Sequence, residues 1–163
     1  MSFDRPTGGA APTLWFAGEA QAAAEFYVTL LPNSQILSRL GTYGDGPMVV
    51  EFALNGTVYL AMNGNPEPSF NDTFSLSVLC ADQGEIDRLW DALTEGGAPG
   101  RCGWLKDRFG LSWQIVPKVL PELLGGEPQR AGHVMNALMT MDRPDIAALE
   151  HAATADRETP GPT

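Results

Sequence analysis

Met48 to Met62 reads MVVEFALNGTVYLAM, and the dipeptide at its centre decides the fold class. Asn55-Gly56 lies between two runs of strand-forming residues. A two-residue type I′ turn needs positive φ at both central positions, which is what this dipeptide supplies. The spacing predicts a hairpin in which Leu54 faces Thr57, Phe52 faces Tyr59 and Val50 faces Ala61. Side chains alternate across a strand, so Val49, Glu51, Ala53, Val58, Leu60 and Met62 share the other face. Glu51 is the one charge there. It has two possible settings: a solvated strand edge, or a recess where burial raises its pKa and suits it to act as a general base.

Upstream, Ile36 to Tyr43 reads as a further strand, separated from the hairpin by Gly44-Asp45-Gly46-Pro47. Before it, Ala22, Ala23, Phe26, Tyr27, Leu30 and Leu31 recur at helical spacing, which predicts a helix from about Glu19 to Leu31. Thr13 to Phe16 (TLWF) is a short apolar strand ended by Gly18. Downstream the pattern begins again. Phe74 to Cys80 reads as a strand. Asp82 with Glu85 forms a capping box ahead of a helix striped by Ile86, Leu89, Trp90 and Leu93. Trp104 to Lys106 and Leu111 to Val116 follow as strands, joined through Asp107 to Gly110. Glu19 to Phe26 and Asp82 to Leu89 occupy matching places, 63 residues apart. A small strand–helix–strand–strand unit cannot bury both faces of its sheet alone. Two such units side by side form a curved sheet with outer helices and a cleft, an α+β architecture. Two late helices, on Val134, Leu138 and Met141 and on Ile146 and Leu149, close the chain.

The predicted organisation is a flexible lead-in over 1–11, one domain over 12–153 and a disordered tail over 154–163. The domain comprises modules at about 12–64 and 73–117, with C-terminal helices over 118–153. A chain of 163 residues that is 44% hydrophobic holds one core without disulfides or metal. A net charge of −10 disfavours nucleic acid and anionic membrane surfaces. No apolar run spans a bilayer, and MSFDRPTGGAA lacks the basic and apolar stretches of a secretory signal. Cys80 and Cys102 are too few for a disulfide framework and suit a reducing cytoplasm.

No GxSxG, GK[ST] phosphate loop, GxGxxG or CxxC occurs, and the two histidines, His133 and His151, read as surface residues. Cys102 sits in Gly100-Arg101-Cys102-Gly103-Trp104 with Lys106 close by. Neighbouring cations can turn a thiol into a nucleophile, while most free cysteines pack as small core residues. Ser75 and Ser77 share one strand face, as do Ser112 and Gln114; such groups either satisfy neighbours or line a pocket. Trp15, Trp104 and Trp113 serve either as aromatic walls for a small ligand or as core.

Phe70 to Pro117, FNDTFSLSVLCADQGEIDRLWDALTEGGAPGRCGWLKDRFGLSWQIVP, resembles the PhnB-like branch of the vicinal oxygen chelate superfamily. That branch carries the description "3-demethylubiquinone-9 3-methyltransferase domain", and its superfamily includes glyoxalases, bleomycin-resistance proteins and dioxygenases. Cys102 to Pro117 is the most specific part, and Thr13 to Ser34, Asn63-Gly64 and Asp145 to Ala152 fit as well. The resemblance implies two βαβββ modules facing each other across a concave sheet, in a homodimer. Where metal-dependent members carry ligands, this chain has Pro12 or Thr13, Asn63, Ser75 and Gln114. Hydroxyls and amides bind transition metals poorly, so no metal is expected. No glycine-rich turn follows a strand to hold S-adenosylmethionine, so no cofactor and no methyl transfer are expected.

The leading reading is a cytoplasmic homodimer that binds a small molecule through Trp15, Asn63, Ser75, Ser77, Trp104 and Gln114. Glu51 and Cys102 are its candidate catalytic groups. The alternatives are a metal-dependent glyoxalase, dioxygenase or thiol transferase using Gln114, and a structural dimer with no ligand.

Overall fold

The computed structural model describes residues 7–65 and 68–155. Most of the lead-in expected over 1–11 and of the tail expected over 154–163 lies outside them. Two compact units, Met1–Ser69 and Phe70–Thr163, divide the chain.

The first unit runs β1 (Thr13–Phe16), α1 (Ala20–Tyr27), β2 (Gln35–Leu40), β3 (Val49–Leu54) and β4 (Thr57–Asn63). Its sheet has the order β1-β4-β3-β2, with β1 parallel to β4 and the other pairs antiparallel. The predicted hairpin register is observed, pairing Leu54 with Thr57, Phe52 with Tyr59 and Val50 with Ala61. Asn55 and Gly56 take φ of 45° and 84°, as a type I′ turn demands. Leu14, Phe16, Val50, Phe52 and Ala61 are buried together with Ala20, Ala23, Ala24 and Tyr27 of α1. Removing each large side chain from water contributes roughly 1.5–3 kcal/mol.

Helix α1 is shorter than its apolar periodicity predicts. After Tyr27 the amides of Thr29 and Leu30 bond three residues back, to Phe26 and Tyr27, and the Thr29 hydroxyl takes the Phe26 carbonyl as well. That tightened turn ends the helix before Leu30, which remains in the core.

The second unit repeats the plan with β5 (Ser75–Cys80), α2 (Gln83–Thr94), β6 (Ala98–Pro99), β7 (Trp104–Lys106) and β8 (Ser112–Pro117). Its order, β5-β8-β7-β6, is the same order one repeat on, with β5 parallel to β8. Helix α2 begins 63 residues after α1. Its capping box is formed: Asp82 accepts from the Glu85 amide at 2.9 Å and Glu85 accepts from the Ala81 amide at 2.8 Å. The two-residue β6 carries no sequence signal of its own. Gly97 permits it, because a Cβ there would lie 2.1 Å from the Lys106 carbonyl oxygen.

Three helices follow: α3 (Leu120–Leu124), α4 (Pro128–Met139) and α5 (Ile146–Ala152). The short α3 is additional to the two helices that periodicity predicts. Leu120, Leu123, Val134, Leu138 and Leu149 form their core, against which Cys102 and Val116 pack. Gln83 tethers this region to α2, accepting from the Ile146 amide at 3.0 Å and donating to the Pro144 carbonyl at 3.1 Å. Arg143 adds ion pairs to Asp87 and Asp91. No described helix is long and apolar enough to cross a membrane.

Candidate functional site

Register sorts the predicted site residues by face. In the first unit Thr13 and Trp15 of β1 are level with Leu60 and Met62 of β4, and Leu60 is opposite Glu51 of β3. Trp15 and Glu51 therefore share the sheet face turned away from α1. β1 starts at Thr13, and the Pro12 carbonyl before it accepts the Leu60 amide. Glu51 is half-buried, and its Oε2 accepts the Ser38 hydroxyl at 3.2 Å.

Asn63, expected to bind ligand, is placed differently from Trp15 and Glu51. It is level with Phe16 on the opposite, helix-facing side and is 4% exposed. Its Oδ1 accepts the Ala20 amide at 3.0 Å, and its Nδ2 donates to the Pro47 carbonyl at 3.0 Å. Both ends of the amide are committed to holding the start of α1 and the loop before β3.

In the second unit the pairings Ser75 to Ser112, Ser77 to Gln114 and Trp104 to Gln114 put all five residues on the face away from α2. Lys106, opposite Ser112, joins them. Gln114 Nε2 donates to Ser75 Oγ at 2.8 Å. The Lys106 ammonium lies 2.9 Å from Asp72, and the Ser112 hydroxyl donates to the same carboxylate at 3.4 Å. Lys106 holds the Asp72 carboxyl below its ordinary range. Trp113 points the other way and is core, as is Trp90.

A cavity of about 540 Å³ lies within this unit, around the β6–β7 connection. Trp104, Lys106, Ser112 and Asp72 line one side, and Ala98 to Cys102 line the other. Trp104 is 37% exposed. Cys102 reaches the cavity from a backbone at φ 59°, a left-handed conformation unusual for a residue with a Cβ. Its amide donates to the Met141 carbonyl and the Gly103 amide to the Asp142 carbonyl, both at 2.8 Å. The Cys102 Sγ lies 3.4 Å from Met139 Sδ. Cys80 is fully buried, which pushes its thiol up to about 12 and leaves it inert.

Sequence reasoning missed Arg101, Lys106 and Asp72 as cavity residues, although the cations beside Cys102 were a signal. It also missed Asp107, which is 3% exposed. Oδ1 of Asp107 accepts the amides of Phe109 and Leu111 at 2.9 and 3.0 Å, and Oδ2 accepts Trp113 Nε1–H at 2.9 Å. This carboxylate builds the β7–β8 turn.

The residues at the expected ligand positions do not fit a transition metal. Asn63 is turned into the core, Ser75 and Gln114 bond to each other, and Thr13 offers one hydroxyl. Among the described residues no three His, Cys, Asp or Glu side chains converge. S-adenosylmethionine fits no better. The helices that follow the first strand of each unit each have an N-terminal amide taken by a side chain of the chain itself: Ala20 by Asn63 at α1, and Glu85 by Asp82 at α2.

The 3-demethylubiquinone-9 3-methyltransferase family model matches residues 9–116. Among solved structures, a PhnB protein of Bacillus cereus is 28% identical with a TM-score of 0.62, covering 66% of this chain and 98% of its own. Protein PA1353 of Pseudomonas aeruginosa is 21% identical with a TM-score of 0.56, covering 67% and 96%. No curated protein matches. With one βαβββ plan used twice, and 9–116 of 163 residues matched, the chain belongs to the 3-demethylubiquinone-9 3-methyltransferase family.

Proposed function

We propose that this protein binds a small, mostly apolar molecule with a polar substituent on the open face of its second sheet, as a cytoplasmic homodimer with no resident metal. The cavity of about 540 Å³ beside Trp104 carries this reading. Its size falls among small-molecule sites, and its lining combines an aromatic wall with a few placed polar groups. Trp104 supplies apolar contact, and Ser112 with Lys106 supplies polar groups of the lining; Ser75, Ser77 and Gln114 are on the same sheet face beside it. Two unbridged thiols agree with a reducing compartment.

Binding is favoured over catalysis by the partners of the two candidate catalytic groups. Glu51 is engaged by the Ser38 hydroxyl and Cys102 touches a thioether. A thioether is not a base that activates the Cys102 thiol as a nucleophile.

Native mass spectrometry on untagged protein, purified without chelators, tests the proposal. The expected result is a dimer retaining a small molecule that is lost in Trp104→Ala. One metal per chain would overturn the metal-free reading in favour of an enzyme. A bare dimer, with no compound of a small-molecule library raising the melting temperature of wild type above that of Trp104→Ala, would overturn binding.

A further inference from the structure

Granting the binding site proposed above, we infer that it selects a flat aromatic or conjugated monocarboxylate, and that Arg101 determines this class. The chain carries a net charge of −10, yet the cavity lining reverses that sign, with Arg101 and Lys106 against Asp72 alone. The Asp72 carboxylate is already answered by Lys106 at 2.9 Å and by the Ser112 hydroxyl. Lys106 is thereby spent within the wall.

Arg101 is not spent. Its side chain is 71% exposed, and its one ion pair is a 3.6 Å approach of Nε to Asp142. Its terminal Nη groups make no hydrogen bond among the described residues, and they form the planar fork that suits a carboxylate. Trp104, three residues on at the start of β7, presents an aromatic wall to the same cavity. A single uncommitted fork beside an aromatic wall, with the other charged groups of the lining paired to each other, describes one carboxylate on a flat ring. Polyanions are disfavoured by the repulsion of the whole acidic surface.

The arginine is also held in place. The amides of Cys102 and Gly103 are bonded to Met141 and Asp142, and a Cβ on Gly103 would lie 2.3 Å from the Ile115 carbonyl oxygen. The anchoring segment lies beyond residue 116, where the family match ends. The feature that presents Arg101 is therefore supplied by a part of this chain outside the family segment.

Isothermal titration with 2-naphthoate and its uncharged analogue 2-naphthamide separates the possibilities. Wild type should bind the carboxylate about tenfold more tightly, the scale of one charge-assisted grip at a partly exposed site. Arg101→Ala should erase that preference, Arg101→Lys should keep part of it, and Trp104→Ala should weaken both probes. Circular dichroism confirms that each variant folds. Equal affinities in wild type, or a preference that survives Arg101→Ala, would overturn the ligand class while leaving the binding site intact. Failure of both probes overturns the class if native spectra still show a retained molecule; if they do not, it overturns the binding reading itself.

Discussion

The β3–β4 and β7–β8 connections do the same job at the same place in two repeats, by different means. The first has Asn55 and Gly56 at positive φ and a full ladder from Leu54–Thr57 to Val49–Met62, and its two central amides reach out to Ser34 Oγ and the Asn33 carbonyl at 3.0 Å. The second adds a buried side chain to its backbone bonds. Asp107 is buried and gathers two turn amides and the Trp113 indole, a residue already inside the next strand. The first turn's outside ties end on the exposed loop before β2 and reach no core side chain. A turn built on a buried carboxylate makes hairpin and core depend on each other, and here it fixes the β7–β8 pair that carries Trp104, Lys106, Ser112 and Gln114.

That contrast breaks first at Asp107. Asp107→Ala leaves three donors without their acceptor and should lower stability by about 4 kcal/mol, read as a drop in the urea midpoint. Asp107→Asn keeps one oxygen for the turn amides but sets an NH₂ against the indole N–H. It should fall about halfway. A midpoint unchanged in Asp107→Ala would mean that the second turn, like the first, is held by its backbone. Gly56→Ala should have a smaller effect, about 1–2 kcal/mol, because it forces a Cβ into the left-handed region without disturbing the core. If it matched Asp107→Ala, the turn's locality would be disproved.

The smallest effect is electrostatic. Hydrogen bonds from Gln83, then Arg143, hold the Asp87 carboxyl below its ordinary value. Its folded-state pKa is depressed, so its contribution is complete above the ordinary aspartate value and is lost as pH falls through the folded one. Arg143→Ala should move the Asp87 titration upward in carbon-detected NMR and flatten the acid side of the stability profile. An unmoved titration would assign the depression to Gln83 alone.

What was legible in the sequence was local. Asn55-Gly56, the Asp82–Glu85 box and the stripe of α2 each announce themselves within a few residues. The alternation of Ser75 with Ser77 and of Ser112 with Gln114 was enough to put them on one face once β5 and β8 paired. The illegible parts depend on distant partners. Asn63 reads as a candidate ligand until Ala20, 43 residues away, takes its oxygen. Strand β6 exists because Gly97 lets the chain pass close to Lys106. The cavity needs Arg101 and Cys102 held by a segment some 40 residues downstream, which no spacing rule connects to them.

Gln83 has one further consequence. The C-terminal helices own an apolar core and could in principle open independently, yet the start of α5 is satisfied by an amide side chain of α2. The amides of Cys102 and Gly103 end on the same segment. Opening that segment therefore strands donors in α5 and in the loop at once, and releases the Gln83 side chain from both its distant bonds. In native-state hydrogen exchange, Ile146, Cys102 and Gly103 should exchange through a single cooperative opening event, and separate opening free energies would disprove that linkage.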